Sequence, residues 1–254
     1  MTSGDRIERA ATLLLDARRT SQGLAALPED CRPATQEEAY LIQDALVRRL
    51  GPVGGWKTGA PGPAEPAAFA PILAGTIVRS ATRLPAAEHR LFGIEGEIAF
   101  RFERALPERP APYGRDEVLA AVASLHPAIE VVESRFTDFR AVDKLSQLAD
   151  LVSNGGLVYG PAAKGWPSFD LARPPARIMI DGKVAAEATG NGGGDPVRLL
   201  VELVNHVAKR HGGLAAGTIV TTGSCTGMVF AHAGARVVAD FGDFGRVEVS
   251  FPTV

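Results

Sequence analysis

A chain of 254 residues with 46% hydrophobic composition can bury a full core, as one large domain or two small ones. Its 27 Lys+Arg nearly balance 29 Asp+Glu, and no basic run interleaved with aromatics is present to follow a phosphate backbone, which argues against nucleic acid as a partner. No stretch reaches the roughly 18 apolar residues of a membrane span, and Met1-Thr2-Ser3-Gly4-Asp5-Arg6 lacks the basic-then-apolar build of a signal peptide, so the reading is a cytoplasmic protein with no membrane partner.

Apolar groups at helical spacing predict a first helix from about Asp5 to Leu27. Thr35 and Glu38 form a capping box ahead of Ala39, Ile42, Leu46 and Leu50, and Gly51-Pro52 closes that second helix. From Gly55 to about Pro85 the chain is rich in Gly, Pro and Ala with little periodicity, which predicts loops and short strands wrapped over a larger body. A strand follows from Gly93 to about Phe102. Asp116 to Leu125 reads as a helix stopped by His126-Pro127, and the next apolar run, Ala128-Ile129-Glu130-Val131-Val132, as a strand. Asp181-Gly182 between β-formers predicts a hairpin. Asp195 caps a helix with Pro196 in its first turn, an apolar stripe of Leu199, Leu203, Val204 and Val207, and Gly212-Gly213 at its end. Three strands follow, around Thr218 to Thr222, Arg236 to Phe241 and Arg246 to Phe251. The fold class is therefore α+β, a mixed and mostly antiparallel β body with helices packed outside, divided as an N-terminal helical and loop region (1–85) and a β domain (86–254) within one compact unit.

Two acidic residues in the apolar run Gly93-Ile94-Glu95-Gly96-Glu97-Ile98-Ala99-Phe100 carry the chemical information. A strand turns alternate side chains to one face, so Glu95 and Glu97 project together. Like charges so placed need a cation, a shared proton or open water. Glu130, acidic within a second apolar run, favours the cation, and three hard oxygen donors suit Mg²⁺ or Mn²⁺. The remaining candidates read as structural. Cys31 and Cys225 form no CxxC, the five histidines show no metal spacing, and His206 and His211 near a helix end are read as capping or solvated. Gly190-Asn191-Gly192-Gly193-Gly194-Asp195 lacks the Lys-Ser/Thr pair of a phosphate loop.

Six segments in order resemble the fumarylacetoacetate hydrolase superfamily, and within it the branch of 2-keto-4-pentenoate hydratases and 4-oxalocrotonate decarboxylases. They are Glu38 to Gln43, Gly55-Trp56-Lys57-Thr58-Gly59, Gly93 to Phe100, Pro127-Ala128-Ile129-Glu130-Val131-Val132-Glu133-Ser134-Arg135, Gly223-Ser224, and the closing Phe241 to Phe251. The resemblance implies a mixed β-sandwich roll, metal ligands at Glu95, Glu97 and Glu130, an active-site lysine at Lys57, pocket positions at Arg135 and Ser224, and assembly into homo-oligomers. Glu130 stands where the hydrolase branch commonly has an aspartate, which favours the hydratase and decarboxylase branch. The chain also departs from that branch. Ala70 to Gly75 holds no carboxylate where hydratases have an aspartate, the usual D-N-x-S reads Asp150-Leu151-Val152-Ser153, and the usual D-S-R reads Glu133-Ser134-Arg135.

The implied function is a metal-dependent hydratase adding water to a 2-hydroxydienoate-type 2-oxo acid in aromatic breakdown. Lys57, its pKa lowered by a nearby divalent ion and partial burial, is the candidate acid/base. Glu133, three residues from Glu130, points to the other face and is no fourth ligand, and Arg135 on the Glu133 face is expected either at the pocket or paired with Glu133. The alternatives are a 2-oxo acid decarboxylase, an acylpyruvate C–C hydrolase, or a metal-binding partner subunit without catalysis, the last supported by the missing carboxylate near Ile72.

Overall fold

The computed structural model describes residues 2–253. Among them are helices α1 (Ser3–Thr20), α2 (Gln36–Leu50), α3 (Arg115–Leu119), α4 (Lys144–Ala149) and α5 (Pro196–His211). The strands are β1 (Val53–Gly59), β2 (Ala68–Leu73), β3 (Ile77–Arg79), β4 (Thr82–Arg83), β5 (Gly93–Phe102), β6 (Leu106–Pro107), β7 (Val122–Val132), β8 (Asn154–Tyr159), β9 (Pro175–Ile180), β10 (Lys183–Thr189), β11 (Gly213–Leu214), β12 (Ile219–Phe230), β13 (Arg236–Asp240) and β14 (Arg246–Ser250). Seven strands form one sheet in the order β2-β1-β12-β5-β7-β8-β3, and five form a second in the order β10-β9-β13-β14-β4. No described helix is long and apolar enough to cross a membrane.

The alternation of side chains along β5 and β7 divides the molecule. Ile94, Ile98 and Phe100 of β5 and Leu125, Ile129 and Val131 of β7 enter a large core shared with Ile178, Val237, Val247, Val249 and Phe251 of the second sheet and its flanks, and with Leu203, Val204 and Val207 of α5. The opposite face, carrying Glu95, Glu97, Ala99 and Arg101, lines the inside of a curl. The sheet bends until β2 at one edge packs against β8 near the other, so that Ile72, Ala99, Ala128, Leu157 and Ile219 meet in a small apolar cluster within it. Helices α1 and α2 pack on each other and on Phe136, Val142, Leu148 and Leu151 in a separate apolar cluster outside the sheet.

Several predicted elements form as their residues require. Thr35 accepts from the Glu38 backbone N at 3.2 Å, although the Glu38 carboxylate reaches back to the Ala34 N at 2.7 Å, one residue before the cap. Asp181 and Gly182, at φ 50° and 78°, make the two-residue turn between β9 and β10. Asp195 caps α5 by accepting from the Val197 N at 2.9 Å.

Four predictions require correction. Helix α1 stops at Thr20 because Ser21 turns into the left-handed region at φ 55°, and Leu24 then bridges to Phe136 in extended form. The stretch from Gly55 to about Pro85 holds the short strands expected, but they do not wrap over the body, since β1 lies inside the main sheet between β2 and β12. Its glycines serve close packing, as a Cβ on Gly54 would lie 2.7 Å from the Ala74 Cα and one on Gly55 2.7 Å from the Ile219 carbonyl oxygen. The helix expected over 116–125 is the five-residue α3, and His126-Pro127 sits inside β7. Pro127 is tolerated there because its carbonyl side faces β8, where Gly160 N donates to it at 2.8 Å just past the last ladder pair, Ala128 with Tyr159, so no donor is missed. Finally, the strand expected around Thr218 to Thr222 runs on as β12 to Phe230, taking in Gly223-Ser224, with its register slipping on either side of Ser224.

Candidate metal centre

Strand register builds the site. Glu95 of β5 lies directly opposite Glu130 of β7, and Glu97 lies opposite Ala128 on one side and Ser224 of β12 on the other. Cross-strand partners share a face. One carboxylate oxygen from each of Glu95, Glu97 and Glu130 lies within 4.8 Å of the others. Glu130 is fully buried, Glu97 is 2% exposed, and Glu95 is half-buried at the open side. The residue between the two β5 glutamates is glycine because β12 crosses close by. A Cβ on Gly96 would lie 3.1 Å from a Thr226 methyl and 3.3 Å from the Phe241 ring, while the Gly96 N donates to the Thr226 hydroxyl at 3.0 Å.

Lys57, buried on β1, donates from Nζ to Glu130 Oε1 and to the Val152 carbonyl, the latter at 3.2 Å. Asn154 Nδ2 donates to the same Glu130 oxygen at 2.9 Å. Three carboxylates facing one ammonium leave two negative charges uncompensated inside the protein. Burial, reinforced by Glu130, pushes Glu95 up to about 7 and Glu97 well above the usual carboxylate range. Burial works against the charge of Lys57, yet Glu130, Glu95 and Glu97 together hold its pKa above the ordinary lysine value. The downward shift expected of Lys57 is thus not what its protein neighbours produce. Buried oxygens Glu97 Oε2 and Glu130 Oε2 have no hydrogen-bond donor among the described residues. Orphaned hard oxygen donors and excess negative charge are what a divalent cation satisfies, so the residues fit Mg²⁺ or a similar ion.

The structure brings Lys57, Glu95, Glu97, Glu130 and Ser224 to one face and leaves Arg135 behind it. The Arg135 guanidinium is committed to Asp150: Nε pairs with Oδ1, Nη2 donates to the Asp150 carbonyl at 2.8 Å, and Nη1 donates to the Asn154 carbonyl at 3.1 Å. It does not pair with Glu133, whose Oε2 instead accepts the backbone N–H groups of Arg90 and Leu91. Arg135 therefore acts through Asn154, together with Arg18 of α1, which donates to the same Asn154 carbonyl at 3.2 Å. Sequence reasoning missed Asn154, although it directly follows the Asp150–Ser153 segment that was singled out. It also missed Thr221, a fully buried β12 residue opposite Lys57 whose hydroxyl acts on the Glu97 carboxylate, working against the rise in its pKa. Ile72, where a carboxylate was sought, is fully buried in the apolar cluster of the curl.

The bland readings mostly hold. Both cysteines are buried, and burial with Glu97 nearby pushes Cys225 up to about 12. The glycine loop uses its amides internally, with Gly193 N donating to Asn191 Oδ1 and Gly192 N to the Ser224 carbonyl. Of the two α5 histidines, His211 is exposed at the helix end as expected, whereas His206 is neither cap nor solvated. His206 stacks on Phe69 with ring centroids 4.5 Å apart and lies 4.7 Å from Tyr40, and burial pulls it down to about 4.

The profile of the family described as "Fumarylacetoacetate (FAA) hydrolase C-terminal" matches residues 51–251. The chain belongs to the fumarylacetoacetate hydrolase family. Its relatives carry the names that the six-segment resemblance implied. It is 28% identical to a 4-oxalocrotonate decarboxylase of Pseudomonas sp over 158 residues, a match covering 62% of this chain and 59% of that protein's length. It is 25% identical to 2-keto-4-pentenoate hydratase 1 of Dechloromonas aromatica (strain RCB), across 96% of both chains. Among solved structures, the 4-oxalocrotonate decarboxylase of Pseudomonas putida G7, complexed with magnesium and adipate, superposes with a TM-score of 0.87 over 99% of each chain at 22% identity. That likeness shows the fold of this family member.

Proposed function

We propose that this protein is a Mg²⁺- or Mn²⁺-dependent hydratase that adds water to a 2-hydroxydienoate-type 2-oxo acid. The observation that carries the reading is the convergence of Glu95, Glu97 and Glu130 within 4.8 Å, with orphaned buried oxygens and a lysine against them. The three glutamates would hold the ion. When bound, it supplies Lewis-acid stabilisation of negative charge on the 2-oxygen of a chelating 2-oxo acid. Lys57 holds a proton at Nζ, fixed in direction by Glu130 Oε1 and the Val152 carbonyl, and is the group placed to deliver it to carbon or recover it from water. Ser224, half-buried and opposite Glu97, offers a hydroxyl at the open side for the substrate's oxygens. Buried apolar neighbours exclude bulk water from the closed side.

Loss of dienoate absorbance, followed with and without added divalent ion and in Glu97→Gln, tests the reading. Turnover is expected to require the ion and to fall at least about a hundredfold in the variant. Undiminished turnover in Glu97→Gln would falsify the assignment. The full-length superposition on a decarboxylase favours a second reading, decarboxylation of a 2-oxo acid such as 4-oxalocrotonate on the same residues. Carbon dioxide release from that substrate, without hydration of the dienoate, distinguishes it.

A further inference from the structure

The curl of the main sheet has two ends, and the acidic cluster occupies only one. Four residues along β5 from Glu97, and four along β7 from Glu130, the same inner face carries Arg101 and His126, about 13 Å away at the rise of a strand. Ala99, Ala128 and Leu157, all fully buried, plug the space between, so the second end does not open into the first. A cavity of about 390 Å³ lies at this second end, lined by Arg79, Ser80, Arg101, His126, Tyr159 and Gly160 among others, with no carboxylate in its wall.

Its cations are held ready. Neither Arg79 nor Arg101 has a carboxylate within 4.0 Å among the described residues, whereas most other arginines of the chain are ion-paired. Arg79 is oriented by donating from Nε to the Tyr159 hydroxyl at 3.2 Å. His126 lies 2.8 Å from the Gly160 carbonyl through Nδ1; a carbonyl only accepts, so Nδ1 carries the hydrogen, and Nε2 accepts from the Ser124 hydroxyl at 2.9 Å. The imidazole edge stands against the Tyr159 ring at 89°. No larger residue fits at Gly160, since any Cβ there would sit 2.6 Å from the Arg246 carbonyl oxygen and 2.8 Å from Pro127. The wall thus holds two guanidinium groups without a carboxylate partner beside a neutral imidazole.

We propose that this end of the curl is a binding site for a small dianionic oxyanion, a phosphate group or a short dicarboxylate, gripped by Arg79 and Arg101 and separate from the metal centre. Two guanidinium forks match the charge and the paired oxygens of such a ligand. The site is independent of the hydratase reading, because none of its residues touches the three glutamates or Lys57.

Titration calorimetry tests it, with inorganic phosphate and succinate as probes and ionic strength held constant with chloride. The full chain without added divalent ion is compared with Arg79→Gln, Arg101→Gln and Glu97→Gln. Saturable binding of at least one probe is expected, weakened about tenfold by either arginine substitution and unchanged in Glu97→Gln. The tighter probe then tells whether the ligand is a phosphate or a carboxylate. Absence of saturable binding, binding indifferent to Arg79→Gln, or loss confined to Glu97→Gln overturns the proposal. Arg79 is exposed, so its variant remains informative even where Arg101→Gln folds poorly.

Discussion

At the scale of single residues, charge is the organising quantity. Glu95 titrates near 7 against an ordinary 4.5, so its protonated form supports the fold below its unfolded pKa, and that contribution disappears as pH rises through 7. An ion bound by the cluster needs the ionised carboxylate. The rise in melting temperature caused by Mg²⁺ should therefore be clearly larger at about pH 8 than at about pH 6, and a shift independent of pH in scanning calorimetry would contradict the raised carboxylates. Asn154 gives a second test. Its amide fixes one oxygen of Glu130 while Arg18 and Arg135 hold its carbonyl. Asn154→Ala should weaken divalent-ion affinity by roughly 10- to 100-fold with the fold retained, measured by ion titration alongside circular dichroism. The glutamates were legible in sequence because charge inside an apolar run is costly. Asn154 was not, because an asparagine followed by Gly155-Gly156 reads locally as a turn although it begins β8.

Among the elements, the turn before β8 is where the chain is strained. Leu151, Val152 and Ser153 all have φ near +50°, a conformation that costs a β-branched residue dearly. Neighbours over-determine it: Ser153 N donates to the Asp150 carbonyl at 2.9 Å, Glu133 N donates to the Ser153 carbonyl at 2.8 Å, and Lys57 holds the Val152 carbonyl. The strain aims that carbonyl at the lysine. Asparagine tolerates the left-handed region, so Val152→Asn should stabilise the protein by about 1 kcal/mol, a rise of roughly 2 to 4 °C in melting temperature. A lower melting temperature would show that packing of the valine outweighs the backbone strain. The misjudged element boundaries have the same origin as this turn. A left-handed Ser21, a proline just past the end of the β7–β8 ladder and glycines placed for close packing are all decided by neighbours distant in sequence.

For the whole molecule, the carboxylate cluster couples the ion to folding. Strands β5, β7 and β1 each contribute a buried charge, and α1 reaches the same point through Arg18 and Asn154. An ion at about a hundred times its dissociation constant adds about 2.7 kcal/mol to stability. Chelation should thus lower the melting temperature by roughly 5 to 10 °C. Glu97→Gln should show little response to the chelator, and an equal response in both proteins would place the ion elsewhere.

Alternation along two apolar runs already determined that Glu95, Glu97 and Glu130 lie on strands with the first two on one face, and cap and turn residues determined α2, α5 and the β9–β10 hairpin, since each depends on neighbours within a few positions. Only the tertiary structure decided that β5 and β7 pair in the register that sets Glu95 opposite Glu130, that Lys57 lies against Glu130, and that Arg135 serves Asp150. Pairing register and sheet curl arise from contacts among segments tens of residues apart, where local side-chain preferences carry no information.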